Sequence, residues 1–369
     1  MAITFSKTIS TTKLLNAYNN NVVEFTSDNV LAAAKCTVSI GGLAFEITPI
    51  SEVFRYNFSE VVKVLMSNNF EDTITPTTNL EIDNSLVQEY NVSYIIEFSN
   101  TSTESTSETY TFVKSVEQIA NVSNRLLNEQ YLFCNSNLTF FKGYPFDIAH
   151  YSDGNITISN ATSGGSLTLT SIAENVDRIF FLSNQVLFKL RVEADGGTFE
   201  DNTCWTDRFG YNILNDGLNS VSVNSTPLTI NLKDGGCGST YLKWFNNKGG
   251  YSYWLFNPIH KEDLKSKTID TFNVDFESID STYTTELVTG KTADLTRKLL
   301  AESLTDNEML QIKDILVSPR VEMYNGVYGG DFSTWQTVNV KDGALQTQNT
   351  KRSLHNIKLS IEINQYTQV

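Results

Sequence analysis

The sequence predicts a mainly β protein with a minor helical part, built as β-sandwich- or barrel-like domains followed by a C-terminal α+β portion. Three observations predict it. Apolar and polar residues alternate in many short runs. Strand-favouring side chains are abundant, with 22 Phe and 16 Tyr alongside many β-branched residues. Breaks rich in Gly, Asn or Ser separate the runs at hairpin spacing. A chain of 369 residues exceeds what one hydrophobic core usually fills, so several domains are expected. Soft boundaries near 120 and 258 give an N-terminal β domain with one helix (1–120), a middle sandwich-like domain (121–257) and a C-terminal α+β domain (258–369).

Taken in order, Val38 and Ile40 lead into Gly41 and Gly42, after which Leu43, Phe45 and Ile47 alternate; this predicts a tight hairpin. Ser59 is placed to cap a helix whose apolar face is Val61, Val62, Leu65 and Met66. A second hairpin is expected to pair 94–98 with 110–113. Its connection, 99–108, is nearly all Ser, Thr and Glu, and reads as a mobile polar loop. A short helix is expected over 120–127.

The middle region opens on a hairpin of 155–159 and 167–170 about Ser163, Gly164 and Gly165. Runs at 179–182 and 186–192 follow. Val221, Val223, Leu228, Ile230 and Leu232 continue the period of two around Pro227. Farther on, Phe272, Val274 and Phe276 alternate with polar residues. Residues 294–317 form the strongest helical stretch, in which Leu295, Leu299, Leu300 and Leu304 share a face. Thr305 with Glu308 fits a capping box, so a second helix starts there. Met309, Ile312, Ile315 and Leu316 form its apolar side, and Pro319 ends it. Strands are expected over 320–324, 335–340 and 354–363.

Charge narrows the partners. The net charge is −15. An acidic surface repels phosphate backbones and anionic lipid headgroups, so neither nucleic acid nor membrane insertion is expected. No apolar run approaches the ~18 residues of a spanning helix, and the N-terminus lacks the apolar core of a secretory leader. The four cysteines, Cys36, Cys134, Cys204 and Cys237, are scattered. They form no zinc-type pair and read as buried thiols.

Catalytic patterns are missing from the sequence. His150, His260 and His355 share no local motif, and no nucleophile elbow, phosphate loop or zinc-protease motif occurs. The 42 acidic residues contain no spacing that singles out a catalytic pair. Asp147, with Asp153, Gly154 and Asn155, is only faintly calcium-like and reads as a turn. The glycines at 235–238 read as a flexible turn. No catalytic residue, metal ligand or cofactor is therefore expected, and the chain is read as a non-enzyme.

The densest aromatic feature is YLKWFNNKGGYSYWLF, residues 241–256, a hairpin with its tip at Gly249 and Gly250. Tyr241, Trp244, Phe245, Tyr251, Tyr253 and Trp254 are the candidate cluster among its aromatic residues. Three roles remain open for them: packing in the domain core, anchors at a subunit interface, or a stacking platform for host glycans.

This segment resembles a stretch common in tail proteins of phages infecting Bacteroidetes, where an aliphatic-basic-Trp run precedes Gly-Gly and an aromatic-Trp-aliphatic-Phe run follows. LVSPRVEMY (316–324), WQTVNV (335–340), and Lys351 with Leu354 before the final strand are similar to the closing part of those proteins. Residues 1–235 carry only a general likeness. The resemblance implies a virion structural subunit near the tail tip, akin to distal tail or baseplate proteins. It would be made in the bacterial host cytoplasm and assemble as a homo-oligomeric ring against other virion tail proteins. The alternative is a receptor- or glycan-binding module on the tail, and below it a glycan-degrading tail enzyme.

Overall fold

The computed structural model describes residues 2–66, 70–76, 78–116, 136–152, 154–170, 175–181, 213–236, 238–258, 261–273, 286–326, 334–341 and 354–368. Within them the chain is mainly β, with five sheets, two short helices and no closed barrel.

Two sheets make the N-terminal body. One has the order β1 (Ile3–Lys7), β3 (Val22–Ser27), β6 (Phe54–Asn57). The other has the order β2 (Leu15–Asn16), β9 (Thr103–Val113), β8 (Val87–Phe98), β4 (Ala33–Ile40), β5 (Leu43–Ile47). Aromatic rings join the sheets: Phe25, stacked on Phe54 of its own sheet at 5.4 Å, meets Tyr94 of the other sheet edge-on at 5.1 Å. The expected β4–β5 hairpin forms, with Gly41 and Gly42 both at positive φ as a two-residue turn of this hand requires. Helix α1 (Ser59–Leu65) buries Val62, and Met66 just beyond it, in this core. Its cap differs from the expected one. Ser59 lies inside the helix, and the Asn57 side chain accepts the Ser59 N–H at 3.1 Å. Cys36 is a buried free thiol here; Cys134, Cys204 and Cys237 lie outside the described residues.

The polar stretch 99–108 is not a loop. The turn occupies 99–102, and from Thr103 the chain is already in β9, paired from Thr103 opposite Glu97 to Val113 opposite Val87. Tyr94 therefore pairs with Thr106, and Tyr110 with Tyr90. Ser and Thr line the wetter face of this strand, where Thr is a good strand former.

A three-stranded sheet of order β11 (Asp147–Ser152), β14 (Asn175–Phe180), β7 (Leu80–Ile82) comes next. Asp147, expected in a turn, begins its first strand. A five-stranded sheet has the order β10 (Asn137–Phe141), β16 (Thr226–Lys233), β15 (Gly217–Val223), β12 (Ile156–Asn160), β13 (Gly165–Leu169). It contains both expected hairpins, β12–β13 and β15–β16. The runs expected at 120–127 and 186–192 lie outside the described residues.

The largest sheet has seven strands: β18 (Tyr251–Phe256), β17 (Thr240–Phe245), β21 (Val321–Tyr324), β22 (Trp335–Val340), β23 (His355–Gln368), β20 (Glu286–Leu304), β19 (Lys261–Asn273). Here the helix expected from 294 to 304 is overturned. Those residues form the end of β20, which pairs with β23 along this stretch and with β19 as far as Lys298. Their composition suits a helix, but Leu299 and Ala301 also fit a period of two, and both are buried opposite Leu359 and Ile357. Pairing with β23 and burial of these side chains outweigh a propensity difference of a few tenths of a kcal/mol per residue. The helix proper, α2 (Asp306–Ile312), begins at the expected capping box, with Thr305 and Glu308 each bonding the other's backbone N–H. A 3-10 turn, Lys313–Leu316, completes it.

Apolar side chains gather into two cores. One lies within the N-terminal body, from Ile9 to Phe112. The other takes Leu14, Leu86, Val87 and Val113 from the first part of the chain and joins buried residues between Leu138 and Phe256 to buried residues between Leu299 and Ile363 in one cluster.

Beyond this core the large sheet runs on as an arm. Edge strand β19 is exposed along nearly its whole length, and Leu264, Ile269, Phe272 and, on β20, Val288 are each at least half exposed. Of the expected alternating run at 272–276, only Phe272 and Asn273 fall in the described residues.

Candidate functional site

The hairpin β17–β18 is built by its tip. Asn246 accepts the backbone N–H groups of Lys248 at 2.9 Å and Gly250 at 3.1 Å. Gly249 sits at φ +94°, and a Cβ there would come within 2.8 Å of the Lys114 carbonyl. Only glycine fits. The tip thus packs against the end of the N-terminal body.

The six aromatic residues singled out in this hairpin are all buried, as is Phe256 at its end. Tyr241 stacks on Tyr253 at 6.0 Å, and Phe245 meets Tyr251 edge-on at 5.7 Å. Strand alternation places Trp244 and Trp254 on the other face, where Trp254 meets Phe141 edge-on at 5.1 Å. These rings have no open face on which a sugar could stack.

The Tyr face carries a charge among its rings. Lys243 bonds Asp72 at 2.7 Å and Glu322 of neighbouring β21 at 2.8 Å, with its ammonium 4.3 Å from the centre of the Trp335 ring. Asp72 also takes Arg178 Nη1 at 2.6 Å. Arg178 Nε and Nη2 hold the two oxygens of Asp147, and the Tyr253 hydroxyl donates to the same carboxylate. The guanidinium lies over the Tyr251 ring, 4.3 Å from its centre. Arg320 closes the chain on Glu322 at 3.0 Å.

Burial opposes the charge on Arg178, but Asp147 and Asp72 overcome it and hold the guanidinium protonated. Burial likewise opposes the Asp72 carboxylate, yet the charges of Arg178 and Lys243 hold its pKa well below the ordinary range. Burial, reinforced by the charge of Asp147, keeps the Tyr253 phenol protonated far above its ordinary pKa, so it stays a donor.

The side chains of Asp72, Asp147, Arg178, Lys243 and Glu322 are between 0 and 6% exposed. A substrate cannot reach groups so enclosed. Charges removed from water this completely persist only when paired and hydrogen-bonded, and these are. The arrangement is chemically a clamp. It ties the segment at 70–76 to the three-stranded sheet and to the seven-stranded sheet, across both boundaries expected from sequence. None of its charged members was singled out in the sequence as a partner for another. The available signal was a lone charge inside an apolar strand, as with Lys243 in YLKWF and Glu322 in VEMY.

Of the histidines, His150 is buried in β11, and His355 bonds Asp306 at 2.7 Å; His260 lies outside the described residues. Among the described residues no cluster of three or more metal-ligating side chains occurs, and no helix is long and apolar enough to cross a membrane.

The fold and the clamp define a class: a multi-sheet β protein whose parts are locked by buried ion pairs. No family model matches the sequence, and no curated protein is similar to it. Among solved structures, the chain is similar to the fibronectin(III)-like modules of Clostridium thermocellum CbhA, at TM-score 0.22 and 9% identity over 63% of this chain and 95% of that one. It is also similar to a structure concerning host cell surface retention of a 1.5-MDa bacterial ice-binding adhesin, at TM-score 0.21 and 7% identity over 80% of this chain and 92% of that one. Likeness at this level does not establish a common fold.

Proposed function

We propose that this chain is a non-catalytic structural subunit of a bacteriophage tail, in a tail-tip, baseplate or distal tail ring. It assembles by repeated contacts with copies of itself and with neighbouring virion proteins. The observation that supports assembly is the arm. Among the described residues strand β19 is the edge of its sheet, and Leu264, Ile269, Phe272 and Val288 are at least half exposed on β19 and β20. A ribbon that projects past its core gains little stability alone, and an apolar strip beside a free strand edge suits another chain. The clamp supports the same reading, because a rigid body transmits the geometry of one contact to the next. The phage assignment itself rests on the sequence resemblance in 241–256 and 316–363.

The test is the molar mass of the purified protein in solution, by light scattering, together with its localisation in phage particles by electron microscopy. The expected result is a closed oligomer, with more than ~1,000 Å² buried at each contact, and density in the tail. A protein that stays monomeric at high concentration, or that is missing from the virion, overturns the proposal.

A further inference from the structure

A cavity of about 280 Å³ lies where the two cores meet. Tyr18, Phe70 and Phe245 form a run of rings along it, with centres 6.2 and 5.0 Å apart. Tyr18 packs against the N-terminal core, and Phe70 against the other. Asn247, from the hairpin tip, and Asp314, from the 3-10 turn after α2, also line it. So does Lys63, whose ammonium is bound by Glu60 at 2.8 Å.

Three lining residues keep a polar atom sealed from solvent with no hydrogen-bond partner: Tyr18 Oη, Asn247 Oδ1 and Asp314 Oδ2. Asp314 as a whole is 6% exposed. Leaving such an atom unpaired costs on the order of 1–3 kcal/mol, and three around one void is a concentration that asks for an occupant. The cavity is far larger than the ~30 Å³ share of one water molecule. Two of the three atoms are oxygens of acceptor groups, so the occupant should donate. The walls are aromatic, so its body should be flat and apolar.

We propose that this cavity is a binding site for a small planar aromatic molecule with one hydroxyl or ring N–H donor. Its ring lies against Phe70 and Phe245, and its donor bonds Asp314. The site is independent of the assembly role.

Phenol and indole are the probes, with toluene as the ring that cannot donate. Dissociation constants come from ligand-observed NMR on the full chain. Phenol and indole should bind at least about five-fold more tightly than toluene, the worth of one satisfied buried acceptor. Asp314→Leu should remove that preference while leaving toluene binding intact. Val317→Trp changes a lining residue that is 59% exposed. It should block all three probes while the fold, followed by circular dichroism, is retained. Equal affinity for phenol and toluene overturns the proposal. So does phenol binding that survives Val317→Trp, or the lack of any binding up to the solubility limit.

Discussion

Arg178 holds Asp147 through two nitrogens, Nε to Oδ2 at 2.8 Å and Nη2 to Oδ1 at 2.6 Å. The two residues sit diagonally across β11 and β14, since Arg178 is directly opposite Ala149. The guanidinium has a third nitrogen left for Asp72, which Lys243 shares. One planar cation therefore joins two strands of one sheet to a segment bonded to another sheet.

Removing that cation leaves the buried Asp147 carboxylate without its cation and Asp72 with Lys243 alone. Arg178→Met should cost roughly 3–5 kcal/mol of unfolding free energy, as expected for an uncompensated buried charge. Arg178→Lys should recover only part, because an ammonium cannot make the fork. Urea unfolding measures both. A loss below about 1 kcal/mol for Arg178→Met would mean that the clamp contributes little.

The same groups set the pH range of stability. The folded Asp72 carboxyl has its pKa lowered from 3.8, burial being outweighed by Arg178 and Lys243. A lowered acid adds stability above its unfolded pKa and loses it as pH falls through the folded value. Tyr251 and Tyr253 are shifted up, by burial first and nearby carboxylates second. They add no penalty while protonated and destabilise once the unfolded chain ionises. The melting temperature should therefore be flat between about pH 5 and 10 and fall on both sides. Asp72→Asn should flatten the acid limb in particular. An unchanged acid limb in that variant would remove Asp72 from the account.

Local patterns were legible in the sequence wherever one short-range rule decided the outcome. Gly41–Gly42 made a hairpin, Thr305 with Glu308 made a capping box, and the last strand buried Ile357, Leu359, Ile361 and Ile363. The reading failed where distant pairing decided. Leu295 and Leu299 satisfy a helical period and a strand period at once, and only distant partners select the strand, Leu264 of β19 opposite Leu295 and Leu359 of β23 opposite Leu299. The Ser- and Thr-rich start of β9 is strand because β8 is there to pair with it. The clamp was illegible for a similar reason. Asp72 and Lys243 are far apart in sequence and meet only after three sheets have packed.

The capping box is the simplest element to test. Thr305→Ala removes the acceptor for the Glu308 N–H and should cost about 1 kcal/mol. The cost should be felt at the contact between α2 and β10, where Gln311 bonds both backbone groups of Thr139. Hydrogen exchange at Thr139 checks this; unchanged protection there would separate the cap from the docking of the helix.

Trp254 is buried against Phe141. Trp254→Ala should cost about 3–5 kcal/mol through the cavity it leaves and lower the soluble yield. Its indole N–H has no hydrogen-bond partner, so Trp254→Phe should recover most of the loss. If Trp254→Ala folds normally and instead abolishes binding to host glycans, the receptor-module alternative gains.

The arm separates assembly from folding. Ile269 and Phe272 are both more than half exposed, so Ile269→Ser with Phe272→Ser removes apolar surface that the single chain does not bury. Such exposed substitutions usually change stability by no more than about 0.5 kcal/mol. If the arm lies against a neighbouring copy, the same changes expose an imperfect contact in every interface of a closed ring, and the penalty repeats around the symmetry axis. The double variant should therefore melt like the parent monomer yet run at lower mass by light scattering. An unchanged oligomer would place the contacts elsewhere on the surface, and a matching fall in melting temperature would make the arm part of the fold rather than of the assembly.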